Sequence, residues 1–328
     1  MMKNWGDVIV VENGEWQGYD WHWADRRILD MLIGGPELAL RHIASFRRSD
    51  DRDFYGLMPE RSAAVLDLDR RRLLFFGDDL MGRVPHRRVL LAALAELWTG
   101  FQVGWAYGGA RELAAYVGVD CPPRDFDREP RIEVTPDRYS PCQVISVVGP
   151  DGGVRFWPMV EYSHPEVYGP SLLDMLPRRA RPKLSLRIEP ASGVHVDPSR
   201  KAIGVWQTVD TAGILDQLPE IWAGWDFEFW EDRYEEQLAR CGDALRVPAR
   251  KLSVEIREVQ ELMRRRVFGS DWDSPAGEAL ELLAVLRRHA PDLAIRDGDV
   301  IAGLIRPTAQ QWKRFTTACD GYAAASAA

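Results

Sequence analysis

The sequence predicts an α+β fold built by tandem duplication of a ββ-α-ββ-α-β-α unit, with mainly antiparallel sheets and a mostly helical C-terminal region. Three observations predict it. Residues 90–118 (LLAALAELWTGFQVGWAYGGARELAAYVG) align without a gap on 214–242 (ILDQLPEIWAGWDFEFWEDRYEEQLARCG), matching Leu94/Leu218, Glu96/Glu220, Leu97/Ile221, Trp98/Trp222, Gly100/Gly224, Phe101/Trp225 and Gly118/Gly242. Upstream, Val8–Leu32 resembles Val144–Leu176 with a longer loop in the second copy, and Leu66–Gly77 (LDLDRRRLLFFG) pairs with Val194–Val205 (VHVDPSRKAIGV). Beyond Gly242 the composition changes, and that stretch has no earlier counterpart. The matched ends delimit a unit of about a hundred residues that occurs twice. The expected organisation is a first lobe over 1–118, a linker over 119–142, a second lobe over 143–242 and the C-terminal region over 243–328.

Each element has a local cause. Asp7–Val11 is β-branched, Glu12-Asn13-Gly14-Glu15 is a turn signal, and Trp16–Trp23 reads as the return strand. Val144–Val148, Gly149–Gly153 and Val154–Met159 repeat the arrangement. Short helices at Ile28–Leu32 and Leu172–Leu176 stop at Gly34-Gly35-Pro36 and at Pro177. Pro36-Glu37 opens a further helix to Phe46. A second hairpin turns at Asp69–Arg72 in one copy and at Asp197–Ser199 in the other. Val89, Leu90, Ala93, Leu94 and Leu97 then recur at helical spacing up to Trp98-Thr99-Gly100. Phe101, Val103 and Trp105 alternate with Gln102, Gly104 and Ala106. Trp225, Phe227 and Phe229 alternate with Asp226, Glu228 and Trp230, so each segment is a half-buried strand. The linker 119–142 is rich in Pro, Asp and Arg. In the C-terminal region Leu252–Phe268 is amphipathic, Ala276–His289 and Pro307–Thr317 read as helices, Leu293–Leu304 as a hairpin, and Gly321–Ala328 as a frayed tail.

Composition bounds the function. The 328 residues are 46% hydrophobic and 28% charged, a globular balance that needs neither disulfide nor metal to support a core. A net charge of −8 argues against general nucleic-acid binding, which requires a basic field. No apolar run approaches a membrane span, and no signal-peptide core follows the N-terminus. Cys121, Cys142, Cys241 and Cys319 are scattered, which fits a reducing, cytoplasmic setting.

No catalytic, cofactor or metal signature is present: there is no GxSxG, Walker, HExxH or CxxC motif. Tyr107-Gly108-Gly109-Ala110, between a strand and a helix, reads as a tight turn, since its counterpart Trp230-Glu231-Asp232-Arg233 would repel an anion. Trp98 and Trp222, shared by both copies, are expected in the cores. The residues that the fold does not require are Asp226, Glu228, Trp230, Glu231 and Asp232. Strand alternation puts the first three on one face, where the other copy has Gln102, Gly104 and Ala106. Carboxylates beside an aromatic group suit a metal, a small cationic ligand or a basic protein surface. The expectation is a non-enzymatic cytoplasmic binding or interaction protein, regulator-like or immunity-like, with a groove between or on the duplicated lobes. The alternative is an enzyme with a site at the lobe interface that uses His22 or His164, each flanked by carboxylates at or just after the end of a second strand.

Overall fold

The computed structural model describes residues 6–21, 27–49, 62–121, 132–134, 143–159, 164–208, 213–269, 288 and 305–327. The chain is mixed α/β and divides into two units. Unit 1 comprises 1–81, 85–121 and 251–328, and unit 2 comprises 82–84 and 122–250.

In unit 1 the hairpin of β1 (Gly6–Glu12) and β2 (Glu15–Trp21) is followed by α1 (Leu29–Leu32), α2 (Pro36–Ile43) and the short β3 (Arg47–Arg48). A second hairpin, β4 (Ala63–Asp67) and β5 (Arg72–Phe76), precedes α3 (Val84–Leu97), β6 (Gln102–Trp105) and α4 (Ala110–Tyr116). The sheet order is β3-β2-β1-β4-β5-β6. Both hairpins are antiparallel, whereas β1 pairs with β4 and β5 with β6 in parallel.

Unit 2 contains the hairpin β7 (Gln143–Val148) and β8 (Val154–Met159), a 3-10 segment at Pro165–Ser171, α5 (Leu172–Met175) and the short β9 (Leu184–Ser185). Then come the hairpin β10 (Ser192–Asp197) and β11 (Ala202–Gln207), α6 (Ile214–Ile221), β12 (Asp226–Phe229), α7 (Tyr234–Cys241) and β13 (Leu245–Arg246). Its main sheet runs β12-β11-β10-β7-β8, with β7 parallel to β10 and β11 parallel to β12. The sheets are therefore mixed rather than mainly antiparallel. Turn signals expose hairpins in a sequence, but a strand reached through a helix returns in the same direction and pairs in parallel.

One tie recurs at the helix that precedes the last strand of each sheet. Trp98 and Trp222 are fully buried. The Trp98 indole N–H donates to the Leu32 carbonyl at 2.9 Å, and that of Trp222 to the Glu166 carbonyl at 2.7 Å. Three residues beyond each acceptor a glycine takes positive φ, 77° at Gly35 and 60° at Gly169. A β-carbon there would lie 2.9 Å from the carbonyl oxygen of Leu97 or of Ile221, so any side chain would press on the helix end. Leu32 and Glu166 thus hold matching positions in the two networks. The sequence alignment instead set Ile28–Leu32 beside Leu172–Leu176, because two similar apolar runs masked the shorter Gly-Pro pair.

The C-terminal region belongs to unit 1. Ile256, Val259, Met263 and Val267 of α8 (Leu252–Phe268) and Phe315, Ala318 and Cys319 of α9 (Ala309–Ala327) join its core. Arg266 of α8 anchors this addition: its guanidinium bonds Asp30 at 2.8 Å and both oxygens of Asp78 at 2.9 Å. Burial opposes its charge, but the two aspartates outweigh burial and hold its pKa above the ordinary arginine value. Helix α9 continues through Gly321–Ala327, expected to fray, because this alanine-rich run carries high helix propensity. The expected helix Ala276–His289 and hairpin Leu293–Leu304 lie outside the described residues, Arg288 apart.

Removing the indole tie tests its weight. Trp98→Phe and Trp222→Phe should each cost about 0.5–1.5 kcal/mol by removing one hydrogen bond to a buried carbonyl. The alanine variants should cost about 3–5 kcal/mol. Urea melts measure both.

Candidate functional site

The face of the unit 2 sheet opposite its main apolar cluster carries the candidate site. On β7, β10, β11 and β12 the residues Ile145, Val147, Val194, Val196, Ile203, Val205, Phe227 and Phe229 pack into that cluster with Trp222 and Trp225. Strand alternation sends Ser146, His195, Gly204, Asp226 and Glu228 to the other side. There a cleft of about 360 Å³ is lined by His195, Asp197, Arg200, Asp226, Glu228, Trp230 and Arg240, among others.

Two glycines shape this face. A β-carbon at Gly204 would overlap Cζ2 and Cη2 of Trp230, so the indole lies directly on the β11 backbone. A β-carbon at Gly193 would overlap the Gln237 amide oxygen and the Trp206 indole nitrogen. Trp230 is thereby buried, although its neighbours Asp226 and Glu228 are exposed. Its N–H donates to Glu228 Oε2 at 2.6 Å, which also accepts from Arg240 Nη2 at 2.8 Å. The Arg240 guanidinium stacks 4.3 Å from the indole centroid and reaches Glu236 Oε2 at 2.8 Å. Glu228 is therefore fixed by two donors, while Asp226 stands exposed on the cleft rim.

Beneath the cleft lies a buried polar network. Gln237 accepts from the Trp206 indole at 2.7 Å and donates to Ser146 Oγ at 2.8 Å. Ser146 Oγ lies 2.9 Å from His195 Nδ1, with Cys241 Sγ 3.8 Å from the same nitrogen. The Ser146 hydroxyl, which receives Gln237, has two neighbours to bond in turn, His195 Nδ1 and the Val194 carbonyl at 3.3 Å. Burial, aided by the Arg240 charge and opposed by Asp197, lowers the His195 pKa to about 4. Burial raises the Cys241 thiol to about 11, only partly offset by its hydrogen bond to Ser146 and by Arg240. At neutral pH this pair is a neutral imidazole beside a neutral thiol, without the thiolate that nucleophilic chemistry requires.

The structure brings Asp226, Glu228 and Trp230 together at this cleft. Glu231 follows them with φ 56°, exposed, and Asp232 is buried at the entrance to α7. His164 lies elsewhere: its Nδ1 is 3.0 Å from Glu166 Oε1, in the segment whose backbone receives the Trp222 indole. His22 lies outside the described residues. In unit 1 the Gly108 N–H is taken by Glu112 Oε2 at 2.9 Å, so the glycine turn bonds its own helix's carboxylate. Sequence reasoning missed His195, Arg240, Ser146, Gln237 and Cys241. Only the inward alternation of Ser146 and His195 along otherwise apolar strands signalled any of them.

Two outcomes are expected. His195 in the folded chain takes up a proton only near its lowered value of about 4, against 6.5 ordinarily. Between these values the unfolded state binds more protons, so this contribution to stability is complete above about pH 6.5 and is lost as pH falls towards 4. Urea melts at several pH values should give a shallower slope for His195→Gln. Gly204→Ala should displace the Trp230 indole and destabilise by about 1–3 kcal/mol, read from melts and tryptophan emission.

Compared with protein family models, with curated proteins and with solved structures, the chain matches none.

Proposed function

We propose that this chain is a non-enzymatic, cytoplasmic binding protein, regulator-like or immunity-like, that uses the cleft of its second lobe to hold a cationic group from a basic protein surface. The observation that carries this reading is the cleft itself. It is lined by Asp197, Asp226 and Glu228 against Arg200 and Arg240, the latter seated on the buried Trp230 indole, with exposed Glu231 and Glu235 nearby in sequence. The neutral state of His195 and Cys241 supports binding over acyl or group transfer. Among the described residues Cys241 and Cys319 are buried thiols outside any disulfide, which supports a reducing compartment. Among the described residues no helix is long and apolar enough to cross a membrane.

A tandem duplication is part of the proposal, and it explains why only one lobe would have the site. Matching hydrogen bonds support it. Gln102 N donates to Arg71 O and Asp226 N to Lys201 O, at 2.8 and 2.7 Å, and Arg71 and Lys201 both have positive φ. Ala106 N donates to Phe75 O and Trp230 N to Val205 O, at 2.9 and 2.7 Å. In this correspondence Leu74 and Ala106 of the first lobe stand where the second has Gly204 and Trp230. Large and small have exchanged places, and the exchange brings the indole to the cleft wall.

A short oligo-arginine peptide serves as the probe. The parent should bind it with an affinity that falls as salt rises, and Asp226→Ala/Glu228→Ala should weaken binding mainly through the association rate. Equal affinity of parent and double variant in a biosensor titration would remove the cleft from the reading.

A further inference from the structure

A second cluster lies in unit 1, independent of the cleft. His86 sits near the start of α3, and Glu255 and Glu258 stand one turn apart on α8. Their donor atoms lie within 4.8 Å of one another. His86 Nε2 is 3.0 Å from Glu255 Oε2 and 3.9 Å from Glu258 Oε2. The His86 and Glu255 side chains are 3% and 2% exposed, and Glu258 is 35% exposed.

We propose that His86, Glu255 and Glu258 form a binding site for a first-row divalent transition ion such as Zn²⁺. Chemistry, position and geometry support this together. One imidazole nitrogen with two carboxylate oxygens is a borderline donor set, softer than the all-oxygen sets that Ca²⁺ and Mg²⁺ prefer. Glu255 occupies the buried side of α8 beside Ile256 and Val259, where packing alone calls for an apolar residue. Two carboxylates drawn together there repel each other, and a dication between them replaces that repulsion with attraction. At a metal–ligand distance of about 2.1 Å, the donors 3.0 Å apart subtend about 90° at the ion and those 3.9 Å apart about 136°. A distorted five-coordinate geometry accommodates both angles, and three protein ligands leave positions for water. Glu258 supplies the solvent-facing side through which an ion enters. The spacing of the helix makes the pair: Glu255 and Glu258 at i and i+3 share one face, and His86 closes the set from a second helix.

The test uses the full chain stripped of metal and titrated with Co²⁺, followed by visible absorption, with Zn²⁺ as competitor. One Co²⁺ per chain, displaced by Zn²⁺, is the expected result. Even an outer partner of a metal ligand is worth 10–100-fold in affinity, so His86→Gln and Glu258→Gln should each weaken binding by on the order of 100-fold. Melts of each variant in EDTA, compared with the parent in EDTA, establish that it folds. Should His86→Gln not fold, the half-exposed Glu258→Gln decides alone. Asp226→Ala/Glu228→Ala should bind Co²⁺ like the parent. The proposal is overturned by absence of saturable uptake, by unchanged affinity in the folded variants, or by loss of uptake in the cleft double variant.

Discussion

A buried indole N–H bonded to a backbone carbonyl governs how each sheet ends. In unit 2, Trp222 fixes the end of α6 against the segment at Glu166. The chain then reverses through Gly224 at φ 79° and enters β12 alongside β11. That entry point sets the register, and the register decides which side chains of Asp226–Trp230 face the apolar cluster. A shift of one residue would bury Asp226 and Glu228 and expose Phe227 and Phe229. The candidate cleft thus depends on a hydrogen bond on the opposite side of the sheet.

The cleft also shows what a single glycine in a strand can do. A glycine in a strand ordinarily weakens it, yet Gly204 gives the Trp230 indole a flat seat on the backbone. Arg240 covers the indole's other side and holds Glu228 in the same contact, so cation, ring and carboxylate become one rigid wall. Much of the local acidity is therefore internally matched. The charge left for a partner comes from Asp226 and the outer carboxylates, which the raw run of Asp and Glu does not distinguish from Glu228.

The sequence revealed what is local. The hairpins, the buried Trp98 and Trp222, and the alternation of Asp226, Glu228 and Trp230 all follow from short-range pattern. It did not reveal assemblies made from distant segments. His195 and Arg240 reach the cleft from a strand and a helix that no motif links, and Glu255 approaches His86 across more than half the chain. Nor did it reveal that α8 belongs with the first unit, because its amphipathic stripe states that a partner is needed without naming one. The Asp30–Arg266–Asp78 bridge supplies that information, and its residues look like ordinary surface charges when read in order.

The return of α8 and α9 to unit 1 has a consequence for synthesis on the ribosome. Nearly all of unit 2 is a continuous segment, 122–250, so its contacts can form as soon as that segment emerges. Unit 1 must wait for 251–328, leaving the apolar surface that Ile256, Met263 and Phe315 later cover open throughout translation of the second unit. The first half of the chain is thus the last to be completed. A nascent chain halted before residue 250 should be the species that most engages chaperones.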